Sequence, residues 1–133
     1  MPDEQTLTPQ PQVTLTRHDN FESWYSNNIQ FKPTEWDLKA IFGEMEPQTD
    51  GGVTVQQHTA IVLTWLQAKI MHYFLGVQLG IYELTHGKIP IPQSVMPTEV
   101  APPSGNLDTP DTRQLYEYMK KFREQFIESL KTS

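Results

Sequence analysis

Between Thr64 and His86 the sequence specifies a helix with two opposed apolar stripes, and no other feature limits the fold as tightly. The segment opens with the capping-box pattern Thr64-Trp65-Leu66-Gln67 and closes at Gly87. At helical spacing, Leu66, Ile70, Phe74, Val77, Ile81 and Leu84 line one side, while Ala68, Met71, Leu75, Leu79 and Tyr82 line the other. A helix resting on a single sheet needs only one stripe, so this one is expected to be clamped between two surfaces. A domain this small does not supply both, which points to self-association. The expected interface is Leu66, Ile70, Phe74, Gly76, Val77, Gly80 and Ile81. Gly76 and Gly80 cost the helix about 2 kcal/mol relative to alanine. Close approach of another backbone would compensate that cost, and two glycines tolerated in a well-packed helix are the equally weighted alternative.

Upstream, the pattern is extended. From Glu22 to Phe31, residues Tyr25, Ile29 and Phe31 fall on one face, and Pro33-Thr34 breaks the run. Trp36, Leu38, Ala40 and Phe42 then alternate with Glu35, Asp37, Lys39 and Ile41, a period of two that favours a strand over the competing helix. Gly43 to Gly52 reads as a loop, punctuated by Pro47 and Asp50-Gly51-Gly52. A third strand, rich in Val, Thr and Ile, is expected from Val53 to Leu63. Strict alternation places Val53, Val55, Ile61 and Leu63 on one face. Thr64 then ends the strand and caps the helix.

Beyond Gly87, Lys88-Ile89-Pro90-Ile91-Pro92 is extended, because proline fixes its own φ and excludes its predecessor from the α region. Residues 93–108 read as a Pro-rich linker. Thr109-Pro110-Asp111 starts a final helix, with a cap, a first-position proline and an acid in the first turn. Its one stripe, Leu115, Met119, Phe122, Phe126 and Leu130, is the expected partner-docking face. The expected organisation is therefore a flexible arm over residues 1–16, a sheet-plus-helix core over 17–92, the linker over 93–108 and the C-terminal amphipathic helix over 109–133. The fold class is α+β, with a small antiparallel sheet of about three strands.

The totals narrow the function by exclusion. The chain of 133 residues carries 10 basic and 16 acidic side chains, a formal net charge of −6. Nucleic-acid or anionic-membrane binding needs a basic footprint, and no basic run provides one. There is no cysteine, so disulfides, thiolate metal sites and cysteine nucleophiles are excluded. The long helix carries Gln67, Lys69, His72, Gln78 and Glu83, too many polar groups for a span of roughly 20 apolar residues. A cytoplasmic protein is expected.

No constellation specifies chemistry. Of the four histidines, His72 and His86 lie 14 positions apart on one helix, about 21 Å along its axis, and cannot share a metal within one subunit. His18 and His58 stand in the arm and the third strand. Glu35 and Asp37, about 7 Å apart on one strand face, could serve as an acid–base pair, but solvent-facing carboxylates opposite Trp36 and Leu38 are the preferred reading. Gly51-Gly52 lacks the Gly-Lys-Ser/Thr of a phosphate loop. Trp24, Tyr25, Phe31 and Trp36 read as core or interface aromatics, since acid is in excess around them. No catalytic residue, metal ligand or cofactor is expected.

The pieces Tyr25-Ser-Asn-Asn-Ile-Gln-Phe31, Glu35-Trp-Asp-Leu-Lys-Ala-Ile-Phe-Gly43 and Gln57-His-Thr-Ala-Ile-Val, running through Thr64 to Glu83, resemble a domain-of-unknown-function family of short bacterial and archaeal proteins. The resemblance covers Tyr25 to about Pro92, leaves out the arm and the tail helix, and implies no functional residue. In layout alone, strands followed by a long helix, a Pro-bearing crossover and a second helix are similar to the bacterial export chaperone SecB. The expected function is a non-catalytic, self-associating interaction or scaffold protein, a dimer or larger. A SecB-like binder of unfolded peptides is the alternative, and a small-molecule enzyme the third reading.

Overall fold

The computed structural model describes residues 11–131. Most of the expected arm, residues 1–10, lies outside them, and residues 11–16 have no regular secondary structure. Three strands, β1 (Asn28–Pro33), β2 (Asp37–Pro47) and β3 (Val53–Thr64), precede helix α1 (Trp65–His86), and helix α2 (Pro110–Ser129) follows. The α+β class and the three-stranded sheet are as expected. The chain divides into two compact units, one up to Trp65 and one from Leu66 onward. That boundary lies at the strand-to-helix junction, whereas the sequence pattern draws one at the linker.

The first unit is an antiparallel meander in the order β1-β2-β3. Its first turn is held by Thr34, whose hydroxyl accepts from the backbone N–H groups of Trp36 and Asp37 at 3.1 and 3.0 Å. Trp36 and Glu35 therefore belong to the turn and not to β2, so Glu35 and Asp37 do not form a carboxylate pair on one strand face. The Trp65 indole donates to the Thr34 carbonyl at 3.1 Å and ties the turn to the far end of β3.

Beyond Gly43 the chain does not loop out. Glu44, Met45 and Glu46 pair with Gln56, Val55 and Thr54, so β2 runs four residues past the glycine, to Pro47. The expected loop shrinks to the turn after Pro47, where Gly51 takes a φ of 87°. The continuation depends on a bulge. Phe42 pairs with Thr59 and Gly43 with Gln57, leaving His58 as an extra residue in β3.

The bulge also corrects the face assignment. Side chains alternate along a strand, so one extra residue reverses the phase on either side of it. Ile61 and Leu63 share a face with Leu38, Ala40 and Phe42, and with Ile29 and Phe31 of β1. Val53 and Val55 lie on the opposite face. Ala40, 1% exposed, is the buried centre of the apolar face, between Phe31 and Ile61 on its two neighbours. Gly43 is buried beside the bulge.

In the second unit, α1 begins directly after Thr64, the expected capping position. It ends at Gly87, with a φ of 88° and its N–H donating to the Glu83 carbonyl at 2.9 Å. The Glu83 carboxylate accepts from the Ile89 N–H at 2.8 Å, so the extended exit is anchored to the last turn. α2 starts as expected, with Pro110 in its first turn and reciprocal Thr109–Thr112 bonds. The linker holds two short 3₁₀ turns, Gln93–Val95 and Gly105–Leu107. Arg123 Nε donates to the Pro97 carbonyl at 3.0 Å, which holds part of the linker against α2.

Candidate interaction surfaces

No residue of α1 is buried. On the first stripe Leu66 is 71% and Leu84 90% exposed, with Ile70, Phe74, Val77 and Ile81 also exposed; on the second, Leu75, Leu79 and Tyr82 are exposed. A Cβ placed on Gly76 or Gly80 would meet no atom within 4 Å. The two glycines are therefore open notches, and among the described residues no atom packs against them to compensate their helix cost.

The expected docking stripe of α2 is split by the folded linker. Met119, Phe122 and Phe126 line an open groove of about 570 Å³ together with Pro97, Val100 and Tyr118. Leu115 is exposed, and Leu130 is half-buried at the C-cap. Asp108 pairs with Arg113 at 2.9 Å near the start of the helix and holds the guanidinium pKa above its ordinary value, through the hydrogen bond first and its charge second.

The sheet carries a further feature without a sequence signal, the junction of β3 with the segment before β1. The His58 ring, released from the ladder by the bulge, stacks on Trp24 with centroids 4.9 Å apart. Its Nε2 lies 2.8 Å from the Tyr25 carbonyl and its Nδ1 2.7 Å from the Thr59 hydroxyl. The carbonyl accepts only, so Nε2 carries the proton. Ser26 Oγ donates to the Gly43 carbonyl at 3.0 Å. Asn27 accepts from the Met45 N–H at 2.6 Å and donates to the Met45 carbonyl at 3.4 Å, imitating one more rung of the ladder. This is a structural clamp around a small cleft lined by Trp24, Phe42 and His58.

The histidines are dispersed. His18 Nδ1 accepts from the Asn20 N–H at 3.0 Å, and His86 donates from Nδ1 to the Tyr82 carbonyl at 3.2 Å while stacking on the Tyr82 ring. Among the described residues, no group of three or more His, Cys, Asp or Glu is placed to hold a metal ion. No helix among them is long and apolar enough to cross a membrane.

Residues 1–91 match the family described as protein of unknown function, DUF3467. The chain belongs to that family. The DUF3467 region takes in the sheet and all of α1, and the match covers residues 1–24 as well, in contrast to the narrower resemblance from Tyr25. The linker and α2 lie beyond it. No curated protein and no solved structure matches the chain, and the layout likeness to SecB finds no support there.

Proposed function

We propose that this DUF3467 protein is a non-catalytic, self-associating interaction protein, and that α1 is its principal interface. The observation that carries this reading is a 22-residue helix, apolar on two sides, with no buried residue. Each large apolar side chain gains roughly 1.5–3 kcal/mol when fully removed from water, so several of them favour burial against a second copy. Gly76 and Gly80 support the reading as places where a second backbone approaches closely. Sedimentation at micromolar concentration is expected to show a dimer or larger species, and Ile70→Asp with Phe74→Asp should return it to monomer. A monomeric wild-type chain overturns the proposal.

A second reading has its own observation. Ile29, Phe31 and Ile61 leave the apolar sheet face about half exposed, a surface suited to extended apolar peptides. Suppression of aggregation for several unrelated unfolded clients would favour it over a scaffold with one or a few defined partners.

A further inference from the structure

The two edges of the sheet are unlike. The β1 edge is six residues long, includes Lys32 and ends at Pro33, which has no N–H to offer. Both are devices that discourage pairing with a further strand. The β3 edge is twelve residues long, and its sequence, Val-Thr-Val-Gln-Gln-His-Thr-Ala-Ile-Val-Leu-Thr, contains no Asp, Glu, Lys, Arg or Pro. Of the described residues, β3 pairs with those of β2 alone. Among the described residues, no other backbone group bonds to the outer side of Thr59 to Leu63. Alternate N–H and C=O groups of that stretch are thus open to another strand.

We propose that the β3 edge from Thr59 to Leu63 pairs antiparallel with the same stretch of a second copy, about a two-fold axis at Ile61. The proposal rests on the self-association reading above and assigns it a second contact surface. Charge favours this occupant. The chain carries a net charge of −6, so two copies meet most readily where neither presents a carboxylate; neither outer strand has one, but β1 sets Lys32 and Pro33 on its edge, whereas β3 has no Asp, Glu, Lys or Arg at all. The faces agree as well. An axis at Ile61 sets Ile61 opposite Ile61, Ala60 opposite Val62 and Thr59 opposite Leu63. The apolar face of one copy then continues into that of the other as one six-stranded sheet. His58 sets the limit of the pairing, because the bulge bends the strand and reverses its faces below that point.

The absence of cysteine makes the test direct. Directly opposed antiparallel residues have Cα atoms about 4.5 or 5.5 Å apart, both within disulfide range. Single-cysteine variants Ile61→Cys, Val53→Cys and Leu75→Cys would be oxidised at micromolar concentration. Ile61→Cys is expected to cross-link nearly completely and Val53→Cys not at all. Hydrogen exchange on the unsubstituted chain gives an independent reading, since outward amides between Thr59 and Leu63 should lose protection on dilution to monomer. A dimer that cross-links through Leu75→Cys but not Ile61→Cys, with dilution-independent exchange at β3, overturns the edge pairing and leaves self-association standing. A monomer at every concentration overturns both. Protection appearing only on addition of a synthetic alternating Val-Thr peptide overturns the second copy as occupant and makes β3 a peptide acceptor.

Discussion

A Cβ on Gly43 would lie 2.8 Å from the carbonyl oxygen of Gln56, closer than two such atoms approach. The same Cβ would stand 3.1 Å from the Gln57 Cα, so both obstacles are backbone of the neighbouring strand at its bulge. Gly43 is needed here for space, because its backbone is not in the left-handed region.

Gly43→Ala is therefore expected to push β2 and β3 apart at the bulge and destabilise the sheet by about 1–3 kcal/mol, in the range of overpacked cores. Chemical denaturation followed by the strand signal in circular dichroism measures it. An unchanged midpoint would mean that the strands separate there at no cost.

His58→Phe keeps an aromatic ring against Trp24 but removes the bonds to Tyr25 and Thr59. The expected loss is about 0.5–1.5 kcal/mol per bond, felt mainly by the segment before β1. Amide exchange should accelerate across residues 22–26 while central β2 amides keep their protection. Equal acceleration throughout the sheet would show that His58 supports the ladder itself and does not merely pin the incoming chain.

Thr109→Ala removes the acceptor for the Thr112 N–H, 3.2 Å away, and breaks the capping box of α2. The cost should be about 1 kcal/mol, borne by α2. It is read as a loss of helical ellipticity at a temperature where the sheet is intact.

The strand-to-helix unit was legible because each of its signals is local. The periodicity of β3, the position of Thr64, the stripes of α1 and the terminal Gly87 all lie within a few residues of what they specify. The bulge was not legible, because it exists only in the pairing of Gly43 with a strand fourteen positions later. A glycine inside an alternating pattern is its one sequence trace. Gly43 taken as a loop start makes β2 too short, and strict alternation carried through His58 puts Val53 and Val55 on the wrong face. Trp36 misled for a related reason. It continues an alternation that the Thr34 hydroxyl has already closed into a turn. The clamp of Ser26, Asn27 and His58 depends on partners 17 to 33 positions away, beyond the reach of any periodicity. The helix stripes were visible, but no local pattern names what would cover them.

The tail gives the last prediction. The cap of α2, its Asp108–Arg113 ion pair and the Arg123–Pro97 hydrogen bond all connect residues between 97 and 123. The groove against Met119, Phe122 and Phe126 is likewise built from the linker and α2. The α1 terminus is completed by Gly87 and Ile89, and the DUF3467 match ends at residue 91. A chain cut after Pro92 therefore keeps every partner described for the sheet and for the end of α1. It is expected to retain the strand signal and a cooperative melt, with a midpoint within a few degrees of the full chain, while losing the ellipticity of the 20-residue α2. The same truncation should leave the oligomer intact if α1 and β3 carry it, and reduce it if the α2 stripe docks on a neighbour. Sedimentation of the cut chain separates the two. If residues 1–92 do not fold at all, α2 is part of the core, and the tail helps the sheet and α1 to fold.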